Sequence, residues 1–367
     1  MNVDWFFLSH RLPLALAAKK SGYTVYVAAA NTGRSETIET LGLHFIDIQE
    51  LKSFGSIVQE LNLILILKKL YVKLKPELIH HVTIRPVLYG SIAARQVKIP
   101  SVVNALSGLG YVYINNTKKN RVLRVFLDRL FKWGFNHPNS ILILQNVDDK
   151  SMILSRNIIK DKKIKIIPGS GVDTNLIIPK DKTNGDVKVA LIGRMLWDKG
   201  IREFVEAARI CYRNELKATF HLYGAPYDSN PMSISNQQLS EWHDEGIVQI
   251  HGHIENIPDI LNEIDIVCLP SYREGLPKSL IEAAAAGLPI ITTDVPGCRD
   301  VVSDGVNGYL VPMKDIDLLA GRIHELVNDK SKRVIFGIAG RKIAVERFSV
   351  DLIVADTLDV YDSLLTK

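Results

Sequence analysis

The chain has 367 residues, of which 47% are hydrophobic, and its net charge is +5. This length exceeds what one hydrophobic core usually supports, so we expect two domains of roughly 150 to 190 residues. The three cysteines, Cys211, Cys268 and Cys298, are widely separated in apolar contexts, which argues against a disulfide framework or a zinc site. A reducing cytoplasm is the simplest environment for them.

Charge is divided unevenly along the chain. Residues 1–170 contain 24 Lys and Arg against 11 Asp and Glu, whereas residues 171–367 contain 21 against 29. The excess of positive charge predicts an anionic partner for the first half alone. The apolar run at residues 63–67 is too short to span a bilayer and lysines follow it, so no transmembrane segment is predicted.

The first residues depart from the pattern of a doubly wound domain, which opens with a buried strand. Residues 2–7 are predicted to form a loop, and a helix is predicted from about Pro13. Asp4 and Arg11 interrupt the apolar run, so we interpret the segment as folded protein and not as a signal peptide. Either the first domain lacks its first strand, or the true start codon lies upstream of Met1.

Short aliphatic runs alternate with helical periods in both halves of the chain. Such alternation is typical of parallel sheets that are covered by helices on both faces. In the first half, strands are predicted at residues 24–30, 77–82, 100–106 and 140–146, and helices at 91–97 and 121–133. In the second half, strands are predicted at residues 186–193, 218–224, 246–252, 264–270 and 289–294, with helices at about 201–212 and 277–286.

A segment rich in Pro, Gly and charge at residues 166–186 is the predicted seam between the halves. The fold class is therefore α/β, with two Rossmann-like, doubly wound domains that face each other across a cleft. We place the N-terminal domain at residues 1–168 and the C-terminal domain at 169–345. Residues 346–365 are predicted to form an amphipathic helix, within a final segment at 346–367.

Residues 273–289 read REGLPKSLIEAAAAGLP. Pro277 fits the first turn of a helix, and Gly287 is the predicted stop. The free N–H groups of Lys278 and Ser279 then form an anion site at the end of the preceding strand, where the helix dipole favours negative charge.

Two carboxylates flank the start of this helix. Glu274 lies in the loop before it and Glu282 inside it, and eight residues at helical rise span at most about 12 Å. That is the length over which a nucleotide diphosphate sugar presents its sugar and its ribose, and carboxylates accept well from vicinal hydroxyls. The alternative is a loop salt bridge for Glu274 and a helix-surface position for Glu282.

Residues 190–200, ALIGRMLWDKG, are predicted to form a strand, a turn at Gly193 and a helix. Arg194 and Lys199 flank the turn. Cations at the end of the first strand of a domain are well placed to neutralise a diphosphate leaving group. Two solvated surface cations are an equally good account of this segment when it is considered alone.

Two other patterns resemble metal sites only superficially. Asp315 and Asp317 form a D-x-D just before a helical period, where Asp315 is best explained as a helix N-cap. His251 and His253 alternate at a strand end, but no carboxylate or cysteine has metal-ligand spacing, so we interpret them as satisfied loop histidines. The sequence predicts no metal site.

The segments around Arg194 and Glu274 together resemble the family-4 retaining glycosyltransferases of GT-B fold, whose signature is a Glu, seven residues and a second Glu. GRMLWDKG, followed about 75 residues later by SYREGLPKSLIEAAAAGLPIITTDVPGCRDVVSDGVNGYLV, carries the resemblance. It extends over essentially the whole chain. The resemblance implies a UDP-activated sugar as donor, retention of anomeric configuration, and neither a metal nor a cofactor.

The resemblance also implies roles for single residues of the C-terminal domain. Glu274 would bind hydroxyls of the donor sugar and Glu282 those of the ribose. Arg194 and Lys199 would bind the diphosphate, so that Glu274, Arg194 and Lys199 form the catalytic set. The remaining donor-binding residues would be Gly193, Gly275, Leu276, Pro277, Lys278 and Ser279.

The N-terminal domain is expected to bind the acceptor. ELIHHVTIRPVLYGSIAAR and VVNALSGLGYVY resemble a bacterial subgroup that extends lipid-linked oligosaccharides, including N-acetylgalactosaminyltransferases acting on undecaprenyl-diphosphate sugars. The resemblance implies transfer of a hexose or N-acetylhexosamine in O-antigen, capsule or glycan assembly. Many family members carry a His before the Gly where this chain has Ser107 and Gly108, so the group that faces the donor sugar differs here.

Further candidates for acceptor contact lie near the start of the chain. Ser9, His10 and Arg11 are predicted to open a helix that faces the cleft, where a cation meets substrate phosphates. A helix cap with two surface residues is the alternative. The resemblance implies that the helix at 346–365 crosses back to pack on the N-terminal domain.

Residues 118–135 combine basic and aromatic side chains in a pattern that suits an anionic membrane surface. Packing of this helix against the sheet explains the aromatic residues equally well. We expect a cytoplasmic protein, peripheral on the inner face of the cytoplasmic membrane, with a polyprenyl-diphosphate-linked glycan as acceptor and no nucleic acid as partner. The residues concerned are Lys118, Lys119, Arg121, Arg124, Phe126, Arg129, Phe131, Lys132, Trp133 and Phe135.

Two alternatives stay open, a non-catalytic sugar-nucleotide-binding protein and a glycosyltransferase with a soluble acceptor. A dinucleotide oxidoreductase is disfavoured, because no G-x-G-x-x-G directly follows a strand in either half.

Overall fold

The computed structural model describes residues 1–52, 55–108, 113, 118–180, 185–227, 230–254 and 256–366, without the side chains of residues 118–120. The chain divides into two compact units. The N-terminal unit comprises Met1–Ser170 and Val350–Lys367, and the C-terminal unit comprises Gly171–Ser349. The division lies inside the predicted seam, of which residues 181–184 are outside the described residues.

The strands of the N-terminal unit are all parallel and form two sheets. In the first sheet Tyr26–Ala29 pairs with His44–Asp47. The second sheet has four strands in sequence order, Leu78–Val82, Ser101–Leu106, Ser140–Leu144 and Ile164–Ile166.

Residues 1–3 run beside the first of these sheets and reach the second. Val3 forms a single parallel bridge with Ala30, and the amino group of Met1 donates to the backbone oxygen of Ala28 at 2.8 Å. The Thr83 hydroxyl, directly after Leu78–Val82, donates to the Asn2 side chain at 2.7 Å. The segment therefore forms a single β-bridge at the position where a doubly wound domain usually has a full first strand.

Helices cover both faces of the four-stranded sheet. On one face, Leu63, Leu67 and Ala93 pack against Val102. On the other face, the helix Val350–Leu365 contributes Val360 and Leu364 to a core that includes Val103 and Ile143. The helices of this unit are Asp4–His10, Leu12–Lys20, Ser35–Thr40, Ile57–Leu74, Ile84–Gln96, Lys118–Phe135, Val147–Ser155 and Val350–Leu365.

Two helix predictions near the chain ends are wrong in detail. Asp4–His10 is a helix and not a loop, because the buried Asp4 carboxylate accepts from the backbone N–H groups of Thr32 and Arg34 at 2.7 and 2.9 Å. Ser9 and His10 therefore end a helix instead of opening one. The stretch 346–365 is also broken, because Phe348 accepts a backbone hydrogen bond from Val172 at 2.8 Å.

The C-terminal unit contains one parallel six-stranded sheet. Its first strand, Val187–Ile192, lies in the middle, with Ala218–Tyr223 and Gln249–Ile250 on one side. Ile266–Leu269, Ile290–Thr293 and Gly308–Val311 follow on the other side. The strand order reverses between Val187–Ile192 and Ile266–Leu269, and ligands of doubly wound sheets bind beyond the carboxyl ends of the strands at this point.

The helices of the C-terminal unit lie on both faces of this sheet, as the alternation of strands and helices predicts. They are Ile201–Arg213, Asn236–Asp244, Ile257–Glu263, Lys278–Ala285, Cys298–Val301, Ile316–Asn328 and Lys330–Arg347. Short 3-10 turns occur at Gln49–Leu51, Asp161–Lys163 and Trp197–Lys199. The predicted fold class, α/β with two domains built on parallel sheets, is confirmed.

Every predicted strand is present, although most are shorter by one to three residues at their ends. Three strands were not predicted, namely His44–Asp47, Ile164–Ile166 and Gly308–Val311. Among the helices that the structure describes, none is both long and apolar enough to cross a membrane.

Candidate active site

The predicted donor residues follow neighbouring strands of the C-terminal sheet. Val187–Ile192, Ile266–Leu269 and Ile290–Thr293 are adjacent and parallel, so the loops after them meet at one edge. The first loop carries Arg194 and Lys199, and the second carries Glu274. Because the carboxyl ends of these parallel strands meet at one edge, residues that lie about 75 positions apart in the chain come together there.

Glu274 is held by two contacts from this edge. Its Oε1 accepts from the Lys199 ammonium group at 2.5 Å and from the Ser271 hydroxyl at 2.6 Å. Side-chain exposure is 13% for Glu274 and 17% for Lys199, so water screens the pair only partly. The loop salt bridge considered for Glu274 therefore exists, and its partner is itself a predicted site residue.

The loop that carries Glu274 is also fixed through its backbone. The Glu274 N–H donates to the Pro296 carbonyl at 3.1 Å. Gly297 has φ +82°, and a Cβ at this position would lie 2.7 Å from the carbonyl oxygens of both Glu274 and Gly275. Only glycine permits this approach of the two loops. The backbone therefore fixes Glu274 as firmly as its side-chain contacts do.

Arg194 and Asp198 extend the charged cluster. The Arg194 guanidinium is exposed and lies 5.3 Å from the centre of the Tyr227 ring. Asp198 has a buried Oδ1 without a hydrogen-bond partner, and burial raises its pKa, with further influence from Lys199, Glu274 and Arg194. These four charged groups therefore lie within electrostatic reach of one another.

The helix after Glu274 extends over Lys278–Ala285. Pro277 is its N-cap residue and not part of its first turn, since its ψ of 115° is extended. Gly287 follows the helix with φ +71°, as the predicted stop requires. Gly275, Leu276 and Pro277 are buried, whereas Lys278 and Ser279 are half-buried.

Glu282 is 7% exposed, so the alternative of a helix-surface position is wrong. Its nearest cation is the Lys278 ammonium group at 3.3 Å. Burial raises the pKa of Glu282, and Lys278 opposes this effect. The helix Lys330–Arg347 covers this region closely, because a Cβ on Gly337 would collide with the backbone oxygen of Gly287. A carboxylate kept this dry needs charged or hydrogen-bonding partners when it is ionised, and Lys278 is one such partner.

The acceptor candidates lie in the N-terminal unit. His10 accepts or donates through Nδ1 to the Ser9 hydroxyl at 2.6 Å and stacks on Phe6 at 4.1 Å. Ser107 and Gly108 directly follow the strand Ser101–Leu106 and are half-buried, and Gly108 has φ +132°. Arg11 lies between two helices. Both Arg11 and His10 are half-buried, and the Nε atom of Arg11 is buried.

The helix Lys118–Phe135 divides its aromatic residues between core and surface. Phe131 and Phe135 are buried, as sheet packing predicts. Val122 and Phe126 are 73% and 58% exposed, and Trp133 is partly exposed beneath the Arg95 guanidinium. The side chains of Lys118 and Lys119 lie outside the described residues.

The predictions for Asp315 and His251, which lie outside this site, can each be compared with a hydrogen bond in the structure. Asp315 is an N-cap, since its carboxylate accepts from the Leu318 N–H at 3.0 Å. His251 is satisfied by His221, with 3.0 Å between ring nitrogens, and stacks on Tyr223. Within the described ranges, no three His, Cys, Asp or Glu side chains are grouped as metal ligands.

The sequence interpretation missed Ser271, Asp198 and Gly297. Ser271 lies two residues beyond a strand end, and Asp198 directly precedes Lys199 within the GRMLWDKG motif. Gly297 belongs to a Pro-Gly pair after the next strand. All three lie in loops that follow a strand end. The four residues of the charged cluster, Arg194, Asp198, Lys199 and Glu274, lie in such loops too.

Comparison with known proteins gives two family matches. Residues 1–146 match the model described as glycosyl transferase 4-like, and residues 186–329 match the model described as glycosyl transferases group 1. Each match lies within one of the two structural units.

Two bacterial relatives cover most of the chain. The N,N'-diacetylbacillosaminyl-diphospho-undecaprenol alpha-1,3-N-acetylgalactosaminyltransferase of Campylobacter jejuni is 28% identical over 98% of each chain. The UDP-Gal:alpha-D-GlcNAc-diphosphoundecaprenol alpha-1,3-galactosyltransferase of Escherichia coli is 26% identical over 85% of this chain and 82% of its own length. Among solved structures, Anabaena HepE in complex with UDP has a TM-score of 0.75 at 20% identity, with 96% of each chain covered.

Proposed function

Because the chain belongs to the glycosyltransferases that these two family models describe, we propose that it transfers a sugar from a UDP-sugar to a glycan carried on a polyprenyl diphosphate. The names of the two bacterial relatives support the acceptor class. The UDP complex of the Anabaena protein supports the donor class. The observation that carries the proposal is the contact of Glu274 with Lys199 and Ser271, at the switch point of the C-terminal sheet.

In this proposal the donor lies along the edge formed by the three strand ends. The Lys199 ammonium group and the Arg194 guanidinium bind the diphosphate, with the first N–H groups of Lys278–Ala285 beside them. Glu274 accepts from hydroxyls of the donor sugar. The buried Glu282 carboxylate accepts from the two ribose hydroxyls, which replace the water that burial has removed.

The transfer retains the anomeric configuration. The acceptor hydroxyl attacks the anomeric carbon from the face that the diphosphate leaves. The bond from this carbon to the β-phosphate oxygen breaks, a bond to the acceptor oxygen forms, and the acceptor proton moves to the leaving phosphate. Arg194 and Lys199 stabilise the negative charge on the departing diphosphate, so the reaction is metal-independent. Full activity in excess EDTA is the expected result, and loss of activity that Mg²⁺ or Mn²⁺ restores contradicts it.

The N-terminal unit contacts the membrane that carries the acceptor. The helix Lys118–Phe135 exposes Val122 and Phe126 beside basic residues, and such a face suits the anionic surface of a bilayer. The helix Ile57–Leu74 exposes Val58, Leu61 and Leu65, which lie on one face at helical spacing. Both helices pack beside Ile84–Gln96. We place the protein on the inner face of the cytoplasmic membrane.

Transfer is tested with the purified full-length chain and four UDP-sugars, with glucose, galactose, N-acetylglucosamine or N-acetylgalactosamine as the sugar. The acceptor is undecaprenyl diphosphate that carries one N-acetylhexosamine, and UDP release and lipid-linked product are measured. Glu274→Gln is expected to lower the rate by about 100-fold or more, because it removes an ionised acceptor from the site. The exposed Asp317→Asn is the matched control. An undiminished rate in Glu274→Gln contradicts the proposal.

Membrane contact is tested by flotation with vesicles of phosphatidylcholine alone or with 30% phosphatidylglycerol. Binding is expected only to the anionic vesicles, and the double variant Val122→Glu, Phe126→Glu is expected to abolish it. The double variant Val334→Glu, Ile338→Glu changes exposed apolar residues of the C-terminal unit and is the control. Undiminished binding of the Val122→Glu, Phe126→Glu variant, or equal loss of binding in both variants, contradicts the assignment of membrane contact to this helix face.

A further inference from the structure

Arg11 is a half-buried cation of the N-terminal unit, and it has no acidic partner among the described residues. It lies between the helices Asp4–His10 and Leu12–Lys20. Its Nη1 reaches the Gly169 carbonyl only at 3.5 Å, and its Nε is buried and has no hydrogen-bond partner. Tyr361 is the one titratable side chain in the described part of the chain that influences the pKa of Arg11, which burial lowers. The guanidinium charge is therefore uncompensated.

His80 presents a second unsatisfied nitrogen within electrostatic reach of Arg11. Its Nδ1 lies 2.6 Å from the hydroxyl of Tyr361, and its Nε2 is buried and has no partner. When the Tyr361 hydroxyl donates to Nδ1, the imidazole proton is on Nε2, which is then an N–H donor without an acceptor. Burial, and after it the nearby Arg11 charge, lowers the pKa of His80, so the two side chains are electrostatic neighbours.

Two buried donors without acceptors on neighbouring side chains are exceptional, because nearly all buried polar groups in proteins have partners. One of the two donors here also carries a full charge. An acceptor with several oxygen atoms and a negative charge satisfies both donors and compensates the charge at once. Arg11 and His80 are both half-buried as residues, whereas Arg11 Nε and His80 Nε2 themselves are buried.

We propose that Arg11 and His80 bind a phosphate or diphosphate group in the N-terminal unit, with Arg11 Nε–H and His80 Nε2–H as donors to its oxygen atoms. Tyr361 is a positioning residue, because its hydroxyl keeps the His80 proton on Nε2. The proposal rests on the proposed function in one respect, since that function supplies two diphosphates, one from the lipid acceptor and one from the sugar nucleotide.

This site has a signature that a structural arginine does not share. A buried charge without a counter-ion destabilises the free protein, and an apolar side chain of similar length removes that cost. Arg11→Met is therefore expected to raise the melting temperature of the free protein by about 2 to 5 °C. The same variant is expected to lose the stabilisation that an anion gives to the wild type.

The experiment is a calorimetric melt of the full chain with saturating UDP, with and without inorganic pyrophosphate. UDP occupies the donor site, so an added pyrophosphate shift reports a second anion site. We expect such a shift in the wild type and in Lys20→Met, an exposed cation at the end of Leu12–Lys20, and none in Arg11→Met. A pyrophosphate shift that persists in Arg11→Met overturns the proposal, as does the absence of a shift in the wild type when UDP is also left out.

A second variant covers the case in which Arg11→Met does not fold. Tyr361→Phe removes one hydroxyl and is expected to weaken pyrophosphate binding about tenfold, because the imidazole proton is then free to move to Nδ1. Unchanged binding overturns the proposal.

Affinities for UDP and for farnesyl diphosphate, measured separately, identify which substrate supplies the bound phosphate group. Loss of farnesyl diphosphate binding alone in Arg11→Met assigns the site to the lipid acceptor, and loss of UDP binding assigns it to the donor. These binding measurements are independent of whether sugar transfer occurs.

Discussion

Gly297 is the position where one added methyl group is expected to disturb the site most directly. In Gly297→Ala, the Cβ would lie 2.7 Å from the carbonyl oxygens of Glu274 and Gly275, closer than such contacts occur. Both obstacles are backbone atoms, so the loop must move by about 0.5 Å. The positive φ adds a strain of about 1 kcal/mol. We expect a total loss of about 2 to 4 kcal/mol in the free energy of unfolding.

The displaced loop carries Glu274, and a shift of this size at a group proposed to bind the donor sugar is expected to lower kcat/KM by about 10- to 100-fold. Gly305→Ala is the matched control, because Gly305 has φ +69° in the same unit but nothing within 4 Å of the added Cβ. It should lose only about 1 kcal/mol and keep its activity. Urea unfolding and UDP release are measured for both variants. Equal stability losses, with normal activity in Gly297→Ala, refute the argument.

Three further predictions concern single side chains. Glu282→Gln removes a buried charge, so at pH 7.5 the protein should be about 1 kcal/mol more stable and bind UDP about tenfold more weakly by calorimetry. Because burial raises the pKa of Glu282, the stability difference should close as the pH falls through that pKa, and a constant difference contradicts this. Burial lowers the pKa of His81 to about 4, so wild-type stability should fall by about 2 to 3 kcal/mol between pH 6.5 and 4.5. In His81→Gln, the free energy of unfolding measured with urea should lack this decrease between pH 6.5 and 4.5. The same decrease in wild type and variant contradicts the role of His81. Asp315→Ala should cost about 1 kcal/mol in thermal unfolding through loss of its cap, and no change in stability argues against a stabilising cap.

The sequence predicted the elements whose cause is local. The aliphatic runs at Val187–Ile192 and Ile266–Leu269 alternate with helical periods, and these patterns require only neighbouring residues. Asp4–His10 was missed because its cause is not local. The Asp4 carboxylate holds backbone groups some 30 residues away, and no pattern within residues 2–7 indicates them. Gly308–Val311 was missed because four residues are too few to show a period.

The residues of the candidate site also divide into those with a local signal in the sequence and those that depend on distant residues. From the sequence alone, the position of Arg194, Lys199 and Glu274 after strand ends predicts that they lie at one edge of the sheet. The direct contact of Lys199 with Glu274 depends on which strands are neighbours in the sheet, and sequence patterns do not contain that order. The burial of Glu282 depends on tertiary packing around its helix, which includes close contacts of the later helix Lys330–Arg347 with Ala284 and Gly287.

The helix Val350–Leu365 has a consequence for how the protein is made. It covers one face of the N-terminal sheet, where its Leu364 carbonyl accepts hydrogen bonds from the Ser101 hydroxyl and the Asn139 amide. The ribosome must first synthesise the intervening Gly171–Ser349, which takes roughly 10 to 40 s at usual bacterial rates. During that time Val103 and Ile143 lack their final cover. The first unit to emerge from the ribosome is therefore completed last, and a nascent chain that stops before residue 350 displays an apolar sheet face to chaperones.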